Sequence, residues 1–482
     1  MSGFIGRDDQ LRTLGRLLDR VTSGAADADR SGRAVLIRGR RRVGKSRLVE
    51  EFIARAGVPH LYFTASTRGP EDELRLFVEE AATSNLPGAA TFVDVTVGSW
   101  DAALRLLATA LPADGPSIVV IDELPYLTAR DPTLEGTLQK VFDRELSRRP
   151  VLLIGIGSDL AMMEALNDYG RPFHQRATEM VVPPLNPAEV GAMLHLAPAD
   201  AFDAYLVTGG LPLVCAEWQP GTSLWDYLEE ALGDPTSALL VSGERALAAE
   251  FPPDAQARTV LAAIGAGERT FTGIGREAGG LQQGSLSRAL TTLTAKRVVA
   301  AERPLSTRPS RETRYRVADP YLRFWLSFLG PHIPEIERGR GDRVLARVTA
   351  SWTAWRGRAI EPVIREAVDR LPPESRPHGD GVVAGYWTRT NDPEIDIVLA
   401  DRSPVARQIR GVGSIKWLED RPFDSRDLAR LVVHRSQLPG ADADTPLLAV
   451  SRSGNQVADL PTLTPEDLLT AWPVRGTDRG AP

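Results

Sequence analysis

The stretch LIRGRRRVGKSRLVEEF, Leu36 to Phe52, governs how the rest of the chain is read. Gly39 to Ser46 fits G-x-x-x-x-G-K-[ST], set between the short β-branched run RAVLI and the helical periodicity of SRLVEEFIARA. Glycine at 39 and 44 lets the backbone curl so that successive N–H groups face phosphate oxygens, helped by the positive end of the following helix dipole. Lys45 is expected at the β- and γ-phosphates and Ser46 on Mg²⁺, with Arg40, Arg41, Arg42, Val43 and Arg47 completing the cradle.

Two further segments extend this site. PSIVVIDELPYL reads as a buried strand ending in Asp122, expected to hold Mg²⁺ through water, and Glu123, placed to orient or deprotonate an attacking water. PVLLIGIGSDL reads as a third strand, which puts Ser158 beyond a carboxyl end, where ligands of open α/β sheets sit. Ser158 is there either to sense a γ-phosphate or simply as a turn residue.

At 482 residues the chain exceeds one hydrophobic core, and at about 150 residues per domain it should hold about three domains. Cys215 is the single cysteine, so no intramolecular disulfide forms. The N-terminus MSGFIGRDDQ lacks a basic segment followed by an apolar run, and no run approaches the roughly 18 apolar residues of a membrane span. A cytoplasmic protein that does not span a membrane is expected. Net charge is −6, yet residues 255–345 hold 15 Lys and Arg against 8 Asp and Glu, which leaves −13 for the remainder. Such a basic island is either a nucleic-acid face or a solvated surface. Only four of the 57 basic residues are lysines, Lys45, Lys140, Lys296 and Lys416, and two of them fall inside motifs.

In order along the chain, FIGRDDQLRTL, the phosphate loop, VVIDELPYL, GIGSDLAMMEAL, HQRATEMVVPPLNPAEV and VTGGLPLV resemble the prokaryotic ATPases often called archaeal ATPases, in the STAND branch of AAA+-like P-loop proteins. The resemblance runs from about Phe4 to Asp467. It implies that Gly6 and Arg7 lie near an adenine, that Arg176 is a γ-phosphate-sensing or finger-like arginine, and that Gly209 to Pro212 closes a helical lid. Gln175 departs from the glycine that commonly precedes that arginine.

From Ala255 to Val317 the pattern is three helices and a hairpin with an Arg/Pro/Ser-rich tip, as in a winged helix. In the DNA-binding form of that fold the third helix enters the major groove. Ser285 is expected to cap this helix, with Gln282, Gln283, Ser287 and Arg288 reading bases or phosphates. Arg303, Arg308, Arg311 and Arg314 are expected along the wing. Winged helices of this family also serve as spacers or protein-contact modules. Tyr321, Phe324, Trp325 and Phe328 are spaced for burial.

Beyond them, GRAIEPVIREAVDRL is an amphipathic helix, EIDIVLAD a strand and QIRGVGSIKWLE a second strand. The pattern resembles the restriction-endonuclease-like module of PD-(D/E)xK nucleases that commonly ends these ATPases. Glu361 matches its helix acid, Asp396 its strand acid and Lys416 its lysine, while Ser414 stands in place of the second strand acid. A neutral hydroxyl is a poorer Mg²⁺ ligand than a carboxylate, and Glu394 or Glu419 is placed to compensate. A degenerate binding fold, a rewired nuclease and a structural cap all fit this pattern.

The expected fold is therefore α/β: a parallel-sheet P-loop core (1–187), a helical lid (188–252), a winged helix (253–325), a connecting segment (326–350), a nuclease-like α/β domain (351–470) and a tail (471–482). The expected ligands are ATP and Mg²⁺, and the expected partners are DNA and further copies of the chain. Three functions remain open at this point: a DNA-associated ATPase, a nucleotide-gated switch or scaffold, and an ATP-controlled nuclease.

Overall fold

The computed structural model describes residues 4–23, 30–158, 160–166, 171, 176–252, 255–377 and 379–472. The chain divides into two compact units, Met1–Pro184 and Leu185–Pro482.

The first unit is built on five parallel strands, β1 (Arg33–Arg38), β2 (His60–Thr64), β3 (Ser117–Asp122), β4 (Val151–Gly157) and β5 (Ala177–Val181). Their order is β2-β3-β4-β1-β5. β3 and β4 are buried at every position, as strands covered on both faces must be, which is why they read as unbroken apolar runs. Phe63, Phe77, Phe92 and Trp100 pack edge to face or tilted beneath one side of the sheet. This fixes β2 against its helices. Parallel strands deliver all their carboxyl ends to one edge, so the loops after β1, β3 and β4 meet there.

The second unit begins with five helices, Pro187–Leu194, Pro198–Thr208, Pro212–Glu217, Leu224–Gly233 and Ala238–Glu250. Gly209 to Pro212 forms the turn between two of them, and the Leu185 N–H donates to the Gly210 carbonyl at 2.8 Å. Helices Gln256–Gly265, Phe271–Glu277 and Gln283–Ala295 follow, then the antiparallel pair β6 (Val299–Glu302) and β7 (Arg314–Val317). The third helix starts at Gln283 with Gln282 at its N-cap position, so Ser285 lies inside the first turn and does not cap it.

Tyr321, Phe324, Trp325 and Phe328 are buried, as their spacing predicts. The Tyr321 hydroxyl and the Trp325 indole donate to the carbonyls of Leu239 and Leu240, each at 2.8 Å, so burial leaves neither polar group unpaired. The 30-residue helix Gly341–Arg370 runs unbroken across position 350, where the connecting segment was expected to end. Its apolar face, Ile360, Val363, Ile364 and Ala367, covers Ile397, Leu399, Leu448 and Val450 of a second sheet. That sheet has the order β12-β11-β10-β9-β8, made of β8 (Val382–Trp387), β9 (Glu394–Ala400), β10 (Ile409–Lys416), β11 (Leu447–Ser451) and β12 (Thr462–Leu463). It is mixed: β8, β9 and β10 pair antiparallel, and β10, β11 and β12 parallel. No helix among the described residues is long and apolar enough to cross a membrane.

Candidate functional site

The phosphate loop follows β1 directly. Gly44 takes a left-handed conformation (φ 84°) at the start of the helix Lys45–Ala56, and a Cβ on Gly39 would stand 2.4 Å from the Val182 carbonyl oxygen. Both positions therefore require glycine. Lys45 is buried, and its ammonium donates to the carbonyls of Gly39 (2.8 Å) and Arg40 (3.1 Å), two acceptors of its own loop. Burial lowers its pKa, with the nearby Glu123 and Asp122 charges acting in the opposite direction. The N-terminal segment is pinned to the same loop. Gly6 and Arg7 are both left-handed, and the buried Arg7 guanidinium donates to the Val43 carbonyl at 2.9 Å. Arg41 is exposed and donates to the Tyr126 hydroxyl at 2.7 Å, Arg42 takes a positive φ of 67°, and Arg47 is exposed and pairs with Glu50.

β3 brings the acids to the same edge. The Ser46 hydroxyl donates to Asp122 Oδ2 at 2.6 Å, so the two groups expected on Mg²⁺ already face one another. These oxygen donors fit a magnesium ion. Tyr62, on β2, donates its hydroxyl to the same Asp122 oxygen at 2.9 Å, and burial followed by the Asp122 charge raises its pKa. Sequence reasoning missed Tyr62. Its signal was a hydroxyl in HLYFT on the strand paired with β3, two residues before Thr64, which stands level with Asp122. Glu123 is left-handed (φ 53°), and its Oε2 accepts from the buried Ser158 hydroxyl at 2.9 Å. A backbone strained by a non-glycine residue at positive φ is held by its surroundings.

Arg176 stands elsewhere. Ala177 pairs with Ala34, so Arg176 lies level with the start of β1, roughly 17 Å of strand from the phosphate loop. It pairs with Asp143 at 3.0 Å. An arginine side chain cannot cross that distance, which corrects the expectation of a sensor for the nucleotide of its own subunit. Gln175 lies outside the described residues.

In the second unit Glu361, Glu394 and Asp396 line one pocket, and Ser414 is hydrogen-bonded to Asp396. Asp396 Oδ2 accepts from the Ser414 hydroxyl (3.0 Å) and the Ile415 N–H (2.8 Å). Burial raises the pKa of Asp396, and burial followed by the Asp396 charge pushes Glu361 up to about 7. Glu394 shares the face of Asp396, as strand parity requires, but it is ion-paired with Arg314 and Arg269. Glu361 pairs with Arg365, one helical turn on. Lys416 is drawn away: its ammonium donates to Asp427, on the helix Ser425–Gln437, at 2.7 Å. Glu419 pairs with the fully buried Arg356 and does not compensate for Ser414. Among the described residues no three His, Cys, Asp or Glu side chains are arranged to hold a metal ion. With two of its acids bound to guanidinium groups, this cluster does not fit a divalent cation.

The hairpin tip is docked as well. Leu305 is buried among Val398, Ile409 and Val412, its N–H donates to the Gly385 carbonyl (2.9 Å), and the Ala406 N–H donates to the Ser306 carbonyl (2.9 Å). Arg314, expected along a solvent-facing wing, instead stacks 4.5 Å over Trp387 and donates to Glu394 and Asn391. Gln282, Gln283, Ser287, Arg288, Arg303, Arg308 and Arg311 remain exposed.

Residues 325–425 match the family model DUF234, described as archaea bacterial proteins of unknown function. An uncharacterized protein of Methanocaldococcus jannaschii is 23% identical over 446 residues, 91% of this chain and 93% of that one. A Walker-type ATPase of Pyrococcus abyssi superposes with a TM-score of 0.46 at 19% identity, over 67% of this chain and 96% of that one. The ORC2 protein of Aeropyrum pernix gives 0.45 at 16% identity, over 72% and 95%.

Proposed function

We propose that this chain binds and hydrolyses ATP at the edge where β1, β3 and β4 end, and couples the nucleotide to DNA through its second unit. The observation that carries the reading is the meeting of Lys45, Ser46, Asp122, Glu123 and Ser158 at that edge. Lys45 exchanges its two loop carbonyls for β- and γ-phosphate oxygens. Ser46 and Asp122 hold the magnesium ion, which when bound supplies positive charge to the phosphates. Glu123, released from Ser158, accepts a proton from the water that attacks the γ-phosphorus, and the terminal bridging oxygen leaves on ADP. Gly6 and Arg7 frame the base side of the loop, and Arg176 serves a neighbouring subunit's nucleotide, where its distance from its own loop is no obstacle.

The DNA part rests on the exposed Gln283, Ser287 and Arg288 at the start of one helix, read with the three helices and hairpin as a winged helix, and on the exposed Arg308 and Arg311 between the two hairpin strands. Ser285 lies among them, its hydroxyl 3.5 Å from the Arg288 guanidinium. One observation favours a slow switch as the second reading: Lys45 and Glu123 are both held by protein groups in the resting chain. The deciding measurement is steady-state ATP hydrolysis with and without duplex DNA, in the wild type and in Glu123→Gln. DNA-stimulated turnover lost in the variant supports the coupled ATPase. Retained ATP without turnover in either protein supports the switch, and absence of both binding and turnover sinks the proposal.

A further inference from the structure

The pocket that holds Glu361, Glu394 and Asp396 carries more positive charge than its acids can absorb. Six guanidinium groups line it, those of Arg269, Arg314, Arg316, Arg323, Arg358 and Arg365. Only four carboxylates do, the three above and Glu302. Arg269 and Arg314 share Glu394; Arg316 and Arg365 share Glu302, and Arg365 also reaches Glu361. Asp396 is satisfied by Ser414 and a backbone N–H. Neither Arg323 nor Arg358 has a hydrogen-bond or ion-pair partner among the described residues.

An unpaired guanidinium in a recess is costly to keep without an anion. Arg323 pays that cost visibly: burial, and then the like charge of Arg316, pushes it down to about 10, still charged at neutral pH. Arg358 stands on the long helix one turn before Glu361, so Arg358, Glu361 and Arg365 share a face toward the pocket. Arg316 and Arg323 also line a neighbouring cavity with Tyr205 and Glu366, which leaves Arg323 open on two sides. The cavity itself is about 40 Å³, space for about three waters at roughly 10–15 Å³ each, which the oxygens of a bound oxyanion would displace.

We infer that this pocket is a metal-independent phosphate-binding site, in which Arg323 and Arg358 take the phosphate oxygens and Arg316 and Arg365 supply flanking charge. A surplus of at least two positive charges matches a phosphate group, and the planar fork of arginine suits its oxygens. Guanidinium groups thus do here what a divalent cation does in a metal-dependent site, neutralising both the pocket's acids and the ligand. The inference does not depend on the nucleotide reading.

The test is titration calorimetry on the full chain in EDTA, in a Lys45→Ala background that removes phosphate binding at the first unit's loop. The probes are inorganic phosphate, a 5′-phosphorylated tetrathymidylate and the same oligonucleotide without its phosphate. Saturable binding of a phosphate-bearing probe is expected, weakened at least ten-fold by Arg323→Gln and several-fold by Arg358→Gln. Arg358 is exposed, so its variant keeps the test valid where Arg323→Gln fails to fold. Tighter binding of the phosphorylated oligonucleotide than of inorganic phosphate identifies a nucleic-acid end as the source, and equal affinity identifies free phosphate. Binding that appears only with added Mg²⁺ or Mn²⁺, or that neither substitution changes, overturns the inference.

Discussion

At the end of β3, Asp122 and Glu123 are held by neutral hydroxyls, those of Ser46, Tyr62 and Ser158. In the second unit, Glu361 and Glu394 are held by guanidinium groups, those of Arg365, Arg314 and Arg269. A hydroxyl partner contributes a modest hydrogen bond and gives way to a ligand that offers more. A guanidinium brings its own full charge, and a metal ion must displace it at the cost of an unpaired buried cation. The first arrangement is poised to exchange partners, and in the second the paired acids are already neutralised without a metal.

The sharpest way to break this contrast is at Lys45. Lys45→Ala removes the cation proposed for the phosphates, and ATP turnover is expected to fall at least about a hundred-fold, as for removal of one preorganised charge stabiliser in an active site. Glu123→Gln should lose turnover on a similar scale while still retaining ATP in a filter-binding assay. Near-normal hydrolysis in either variant would mean that the hydroxyl-held acids are not the working site.

Arg314→Ala tests the other side. It removes the stack on Trp387 and leaves Glu394 with only Arg269 at 3.4 Å. Because Glu394 is about a third exposed, the expected loss of stability is about 2–3 kcal/mol, below the range for a fully buried pair. Urea unfolding followed by tryptophan fluorescence reads it directly. A loss under about 0.5 kcal/mol, typical of a surface site, would show that the arginines are not structural counter-charges.

The first unit's site was readable because its parts are local. Strand, loop and helix are contiguous in Leu36 to Phe52, and Asp122 and Glu123 end an unmistakable apolar run. The second site was only half readable. Glu361, Asp396 and Ser414 do converge, and Arg365 lay in plain view four residues after Glu361. Arg314, however, meets Glu394 across 80 residues of sequence. No periodicity links them, because the contact depends on where the hairpin tip docks. The same holds for Arg176, whose position at the far end of β1 follows from strand register and not from its motif.

A smaller effect is expected at Glu361. Its folded pKa of about 7 lies above the ordinary 4.5, so the folded state prefers the protonated form. The stability tied to that proton is full below about pH 4.5 and is lost as pH rises through about 7. Glu361→Gln cannot ionise. It should match the wild type near pH 4.5 and exceed it by about 1–2 kcal/mol at pH 8, the Arg365 contact it gives up being subtracted from the gain. Thermal unfolding at the two pH values checks this, and a variant destabilised at pH 8 would mean that Glu361 works as a charged partner.

The smallest effect is expected at Ser158, where the hydroxyl-held state of the first site is tested most finely. If its bond to Glu123 only restrains the resting acid, Ser158→Ala removes a net interaction of about 1 kcal/mol, and basal turnover should rise up to about five-fold with KM for ATP unchanged. A fall of ten-fold or more would place the hydroxyl on the γ-phosphate in the working complex, making it a ligand contact that Glu123 occupies only at rest. Either result bears on whether the chain turns over freely or waits for a partner. In the first case the resting bond is itself the brake, and DNA should stimulate the variant less than the wild type.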